Sequence, residues 1–357
     1  MTSTPGDTPI ETDAVIVGAG PVGLFQAFEL GLLEIKAHIV DSLAVAGGQC
    51  VELYADKPIY DIPGIQVVTG RELTANLLKQ IEPFAVPMHL DQEVTRVAKR
   101  SDGRFDVETS KGVRFLAKTI VVAAGVGSFQ MRRLGVDALD KFERTQLWHR
   151  LPDAALRARK RIVLVGGGDA AVDAAIALAE PGPQRCASIV LVHRRDSFKA
   201  QPASLAHLAQ LRERGDVQFV AGQVSGIEES AARLCAVIIS GADGAAHRLE
   251  LDLLLVQMGV SPKLGPIADW GVQLERKQIV VDTEKFETST PGIFAVGDVN
   301  TYPGKKKLIL CGFHEAALAS FGVARHVFPD RDVQMQYTTT STKLHRLLGV
   351  SPPNLDD

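Results

Sequence analysis

Ala14-Val15-Ile16-Val17-Gly18-Ala19-Gly20-Pro21-Val22-Gly23 is the stretch that decides the fold. Four apolar residues run into a glycine turn, and the turn runs through a proline into a segment rich in Leu, Ala and Phe. The order predicts a strand over 14–17 and a helix over 21–33, joined by the Gly-x-Gly-x-x-Gly spacing of a dinucleotide-binding fingerprint. Gly18 permits the tight turn, Gly20 lets the backbone approach a pyrophosphate, and Gly23 lets helix and strand pack closely. Amides at the helix N-terminus then face the anion. The next strand, over 37–40, ends in Asp41, an acid placed to hydrogen-bond an adenosine ribose.

A second unit of the same design starts at 162–165 and turns at Gly166-Gly167-Gly168-Asp169-Ala170-Ala171, the Gly-x-Gly-x-x-Ala form of the fingerprint. Its helix runs to about 180 and its returning strand covers 189–192. That strand ends in His193-Arg194-Arg195, with Lys199 close behind, where the first unit has an acid. Guanidinium groups suit a 2′-phosphate that a carboxylate would repel, which favours NADP over NAD. Two dinucleotide sites in one chain imply a flavin with a nicotinamide, because hydride exchange needs a donor ring and an acceptor ring. Gly297-Asp298, after an apolar strand within 288–296, supplies a carboxylate for a ribityl chain.

Around these units the composition is that of a soluble globular protein. The 357 residues divide into roughly two domains at ~150 residues each. The 46% hydrophobic and 23% charged residues argue against disorder, collagen-like repeats and coiled coil. A net charge of -3 argues against a nucleic-acid binder, which needs basic residues in excess. No apolar run reaches the ~18 residues of a membrane span, and the polar N-terminus lacks a signal-peptide pattern, so a cytoplasmic protein with no membrane partner is expected. Alternating apolar residues over 93–122 predict an antiparallel connecting sheet with a hairpin. Further strands are expected over 249–259 and 278–281, and a final helix over 312–328, followed by a polar tail.

The order of these motifs, with Gly47-Gly48-Gln49, Ala123-Ala124-Gly125-Val126-Gly127 and Thr290-Pro291-Gly292-Ile293-Phe294-Ala295-Val296-Gly297-Asp298, resembles the thioredoxin-reductase-like two-dinucleotide flavoproteins. Cysteines separate the branches of that superfamily. The chain has Cys50, Cys186, Cys235 and Cys311, with no Cys-x-x-Cys for a thioredoxin-directed dithiol. Ala55 stands where glutathione-reductase relatives place the partner of a flavin-side cysteine, so Cys50 reads as a small buried residue. What remains resembles the ferredoxin-NADP reductases of the thioredoxin-reductase type, which Tyr54, Tyr60-Asp61-Ile62-Pro63-Gly64, Ser128-Phe129 and Gly312-Phe313-His314-Glu315-Ala316-Ala317 also match.

That resemblance implies two Rossmann-like three-layer α/β domains with a C-terminal extension. Residues 1–127 and 258–357 would form a discontinuous FAD domain, and 128–257 an NADPH domain. Asp41, Gln49, Tyr54, Val94, Phe129, Asp298 and Thr339 would contact FAD beside Gly18, Gly20 and Gly23, with Tyr54 stacked on one flavin face. A helix from about Gly312 would aim its dipole at the flavin pyrimidine. Gly166, Gly168, Ala171, His193, Arg194 and Arg195 would hold NADPH. In the group a ring from the extension covers the other flavin face; Thr340 falls there in this chain, leaving Tyr337, His345 or no residue for the role.

The implied activity is electron transfer from NADPH through FAD to ferredoxin or flavodoxin, by a homodimer, with no catalytic acid, base or metal on the protein. An acidic partner needs a cationic surface, for which Lys305-Lys306-Lys307 and Arg132-Arg133 are candidates. Two other readings stay open: an NADPH-dependent flavoprotein reductase of a quinone or a separate disulfide protein, and a non-catalytic FAD/NADPH-binding sensor or scaffold.

Overall fold

The structure is a computed structural model that describes residues 8–131, 133–143, 145–182, 184–241, 244–331 and 337–350, with side chains omitted at 128–131 and 260–263. The chain divides into two compact units, Met1–Ser128 with Pro262–Asp357, and Phe129–Ser261.

In the first unit the strand Ile10–Val17 lies between Ala37–Val40 and Arg114–Val122, parallel to both. Its apolar run is continuous, not alternating, because both faces of a parallel sheet are covered. Ala14, Val15 and Ile16 are accordingly buried. Pro21 occupies the first position of helix Pro21–Leu32, where its missing N–H costs no intrahelical bond. Helix Ile309–Val327 packs on it, with Gln26 Nε2 donating to Ser320 Oγ at 2.6 Å. This helix begins one turn before the expected Gly312, and it is not the last: the tail beyond it carries helix Thr342–Leu347.

The hairpin Val94–Lys99 and Phe105–Thr109 is antiparallel, as its alternation predicts. It is not a separate connecting sheet. The long strand Arg114–Val122 pairs antiparallel with Phe105–Thr109 through its first half, and its last residues pair parallel with Ile293–Ala295. One strand thus joins the hairpin to the parallel sheet and brings the start of the Gly297-Asp298 turn beside the first glycine turn.

The second unit carries a parallel sheet in the order Leu147–Trp148, Leu253–Gln257, Arg161–Gly166, Ser188–His193, Gln218–Ala221. Helices Asp169–Ala179 and Pro202–Glu213 cross between its strands. A three-stranded antiparallel sheet, Gln223–Ser230, Arg233–Ser240 and Ala246–Glu250, is added to it. The single strand expected over 249–259 is therefore two strands in two sheets. Asp252 makes the break: its carboxylate accepts from the Arg161 amide at 2.8 Å and from the Arg161 guanidinium. Gln146 ties the sheets together, bonding both the N–H and C=O of Leu234 at 2.9 Å.

Candidate functional site

The first glycine turn shows which glycines serve packing and which leaves space. A Cβ on Gly18 would lie 2.4 Å from Ala123 O, and one on Gly23 would lie 1.9 Å from Gly18 O. A Cβ on Gly20 would meet nothing nearer than Gly48 Cα at 4.0 Å. Gly20 has φ -71°, so its own backbone does not call for glycine either. The protein packs against the first and third glycines and leaves a small cradle over the second, bounded on the far side by Gly48 at φ +52°. Helix Pro21–Leu32 starts there with no side chain capping its amides. An uncapped helix start facing glycine-lined space fits the pyrophosphate of a dinucleotide.

Asp41 stands at the end of the neighbouring strand, buried. Its Oδ2 accepts from the Ala19 amide at 2.5 Å and its Oδ1 from Leu43 at 2.7 Å. Burial raises its carboxyl above the ordinary value, and the two amide bonds oppose that rise. Asp41 is thereby fixed against the x of the first Gly-x-Gly.

Gln49 opens the short helix Gln49–Glu52, and its Nε2 donates to Asp298 Oδ2 at 3.3 Å. The same Nε2 lies 3.2 Å from where a Cβ of Gly125 would stand. The structure thus brings together the Gly47-Gly48-Gln49, Gly125 and Gly297-Asp298 motifs, which are far apart in sequence. Half-buried Tyr54 bonds the Cys50 thiol, O to S 3.4 Å, and burial together with that contact pushes its phenol well above the usual range. Val94 is buried in the hairpin. Thr339 is exposed in the turn before helix Thr342–Leu347 and makes no hydrogen bond to the cluster. Phe129 has its backbone in strand Ser128–Met131, and its side chain lies outside the described residues.

The second turn repeats the pattern. A Cβ on Gly166 would lie 2.3 Å from Gln257 O and 2.7 Å from Ala171 Cβ, whereas one on Gly168 would meet only Lys199 O, at 4.0 Å. Again the middle position has room that the protein does not fill. Gly167 is needed because the His193 ring lies over it, 2.4 Å from a Cβ there. Burial, then the charges of Arg194 and Arg195, hold the His193 imidazole below its ordinary value, so it is neutral at pH 7. Arg194 and Arg195 are exposed and have no acidic partner among the described residues. Nearby Arg212, by contrast, is paired with Asp196 and stacked on Phe219.

Sequence reasoning gave no role to Glu315, which stands inside the Gly312–Ala317 motif. Glu315, 0% exposed, accepts from the Gly297 amide at 2.7 Å, Asn300 Nδ2 at 2.8 Å and Tyr302 O–H at 2.9 Å, and pairs with Lys305 Nζ. The expectation that Lys305 belongs to a cationic docking surface is therefore overturned: its side chain is only 7% exposed and its charge is spent internally. Lys306 and Lys307 are exposed. Arg133 is paired with Asp140, and Arg132 lies outside the described residues.

The profile of the pyridine nucleotide-disulphide oxidoreductase family matches residues 12–317. A protein of Methylibium petroleiphilum named ferredoxin–NADP reductase is 62% identical over 99% of this chain and 97% of its own length. A protein of the same name from a Polaromonas species is 60% identical over the same shares. Among solved structures, Lactococcus lactis thioredoxin reductase superposes with a TM-score of 0.69 at 23% identity, covering 89% of this chain and 99% of its own, which is a likeness of fold. The chain belongs to the pyridine nucleotide-disulphide oxidoreductase family.

Proposed function

We propose that the chain is an FAD-dependent ferredoxin–NADP reductase. The observation that carries this reading is the pair of glycine turns. Each keeps glycine at a middle position where the protein itself leaves room, one beside a buried acid and the other beside two exposed arginines. Relatives at 60–62% identity carrying that name support it, as does the absence of a Cys-x-x-Cys.

Bound FAD supplies the conversion of a hydride pair into single electrons, which neither a nicotinamide nor an iron–sulfur carrier performs alone. The protein's work is to bind and orient. Residues 1–127 and 258–357 take FAD: Gly18, Gly20 and Gly23 with the helix start hold its pyrophosphate, and Asp41 its adenosine ribose. Asp298, backed by Gln49, takes the ribityl chain. Tyr54 lies against the flavin, with Val94, Phe129 and Thr339 as further contacts. Residues 128–257 take NADPH: Gly166, Gly168 and Ala171 form its turn, His193 shapes that turn, and Arg194 with Arg195 take the 2′-phosphate. For each hydride received two electrons leave singly and one proton is released to solvent, so no protein acid is required to protonate the acceptor.

Ferredoxin or flavodoxin is the partner, docking on exposed cations that include Lys306 and Lys307; the enzyme works as a cytoplasmic homodimer. The described residues contain no helix long and apolar enough to cross a membrane. The test is anaerobic NADPH-driven reduction of cytochrome c with and without ferredoxin, at low and high salt. A rate that requires ferredoxin and falls with salt supports the reading. A rate indifferent to ferredoxin overturns it in favour of a reductase with another acceptor.

A further inference from the structure

We propose that the buried Lys305–Glu315 pair is a positioning element of the flavin site, aiming the Gly297–Asp298 peptide and the Asp298 carboxylate. The inference rests on the assignment of FAD to the first unit and adds residues that assignment does not use.

Taking two charges out of water costs more than their attraction usually returns, so a buried ion pair is a poor device for stability alone. Such a pair does impose geometry, and here the geometry converges on one residue. Glu315 Oε2 accepts from the Gly297 N–H at 2.7 Å, while Lys305 Nζ donates to the Gly297 C=O at 2.8 Å. Both peptide planes flanking Gly297 are therefore held by the pair. In a trans peptide the N–H points opposite to the C=O, so fixing Gly297 O toward Lys305 aims the Asp298 N–H away from it. Gly297 has φ +79°, a conformation in which a side chain would be strained.

The remaining contacts brace the far end of the turn. Asn300 Nδ2 donates to both Glu315 Oε2 and Ala295 O at 2.8 Å, and the Tyr302 O–H donates to Glu315 Oε1. Gln278 Nε2 bonds the carbonyls of Asp298 and Asn300 at 3.3 and 2.8 Å. The backbone from 297 to 300 is thus tied at each end, with the Asp298 carboxylate projecting from it to Gln49. Glu315 also fixes this turn to helix Ile309–Val327, whose Gly312 passes so close that its Cβ would lie 3.4 Å from Gly297 Cα. One pair sets both the acid and the helix start beside it.

The test is FAD binding to apoprotein, followed by flavin fluorescence and the visible flavin spectrum. The variants are Lys305→Met, Glu315→Gln and the double, each also in an Asp298→Ala background. The double carries no unpaired charge, so it keeps the test decisive should a single variant fail to fold. It is expected to bind FAD about tenfold more weakly with an altered visible band, the apoprotein melting point staying within a few degrees. With Asp298 already removed, the same double change is expected to cost less than about threefold, because its effect passes through Asp298. Wild-type affinity and spectrum in the double variant would overturn the proposal, as would a full loss that persists without Asp298. Since the readout is FAD binding, a failure to reduce ferredoxin would count against the reaction alone.

Discussion

The Ala19 amide donates to the Asp41 carboxylate at 2.5 Å, so the acid at the end of one strand is tied to the turn at the end of its neighbour. Parallel pairing of Val17 with Val40 brings the two strand ends level, and the hydrogen bond closes them together. Asp41 is held by both carboxylate oxygens, Oδ2 to Ala19 and Oδ1 to Leu43.

Asp41 therefore has opposite effects on the empty and loaded protein. Its folded-state carboxyl value is raised by burial. A raised acid contributes stability that is present below the unfolded value and lost as pH rises through the folded one. Apoprotein melting should accordingly show a contribution that falls as pH rises above the ordinary carboxyl value of 3.8 and that Asp41→Asn lacks. The same substitution should weaken FAD about tenfold, since a charged acceptor for the ribose is lost. Melting curves on apoprotein and FAD titration check the two halves separately.

The glycines of each turn should divide by substitution. Gly23→Ala puts a Cβ 1.9 Å from Gly18 O, and Gly166→Ala puts one 2.3 Å from Gln257 O, so both should lower the melting point of the apoprotein. Gly20→Ala and Gly168→Ala meet nothing closer than 4.0 Å. These two should fold normally and lose cofactor, Gly20→Ala releasing FAD and Gly168→Ala raising the KM for NADPH. Normal FAD content in Gly20→Ala would remove the cradle from the FAD site.

Both turns are legible in the sequence because every part of them is local: strand, glycines, helix and the residue ending the next strand fall within one short unit. The break at Asp252 is not legible, since it depends on Arg161, which is distant in sequence and adjacent only through sheet pairing. The Lys305–Glu315 pair is intermediate. Lys305 looks like its exposed neighbours Lys306 and Lys307, and nothing in that run marks it. Glu315 does leave a signal: it shares a helical stripe with Gly312, Ala316, Ala319 and Val323, all buried. A charge inside an apolar stripe requires a buried partner. Finding that partner needs the fold.

Arg194 and Arg195 should set cofactor choice without affecting the fold, being exposed and unpaired among the described residues. Losing one charge-assisted bond to the 2′-phosphate costs about 1.5–3 kcal/mol, so the KM for NADPH should rise at least about 10-fold in Arg194→Ala/Arg195→Ala. The KM for NADH should change little, because NADH has no 2′-phosphate. An equal rise for both cofactors would place the arginines on some other part of the dinucleotide.

At the edge of the first unit's sheet, His38 Nδ1 and His89 Nε2 lie 3.0 Å apart, with the Phe115 ring against both imidazoles. A hydrogen bond between two rings needs one nitrogen bearing a proton and one without, which two neutral imidazoles provide and two charged ones cannot. Burial and then the His89 charge hold His38 below its ordinary value of 6.5, and burial does the same to His89. A base whose folded value is depressed gives stability above its unfolded value and loses it as pH falls through the folded one. Melting temperature should therefore drop through this pair as pH falls below the ordinary value of 6.5, and the drop should be smaller in His38→Leu/His89→Leu. If the double variant keeps the wild-type acid slope, the loss arises elsewhere and the pair is merely packed.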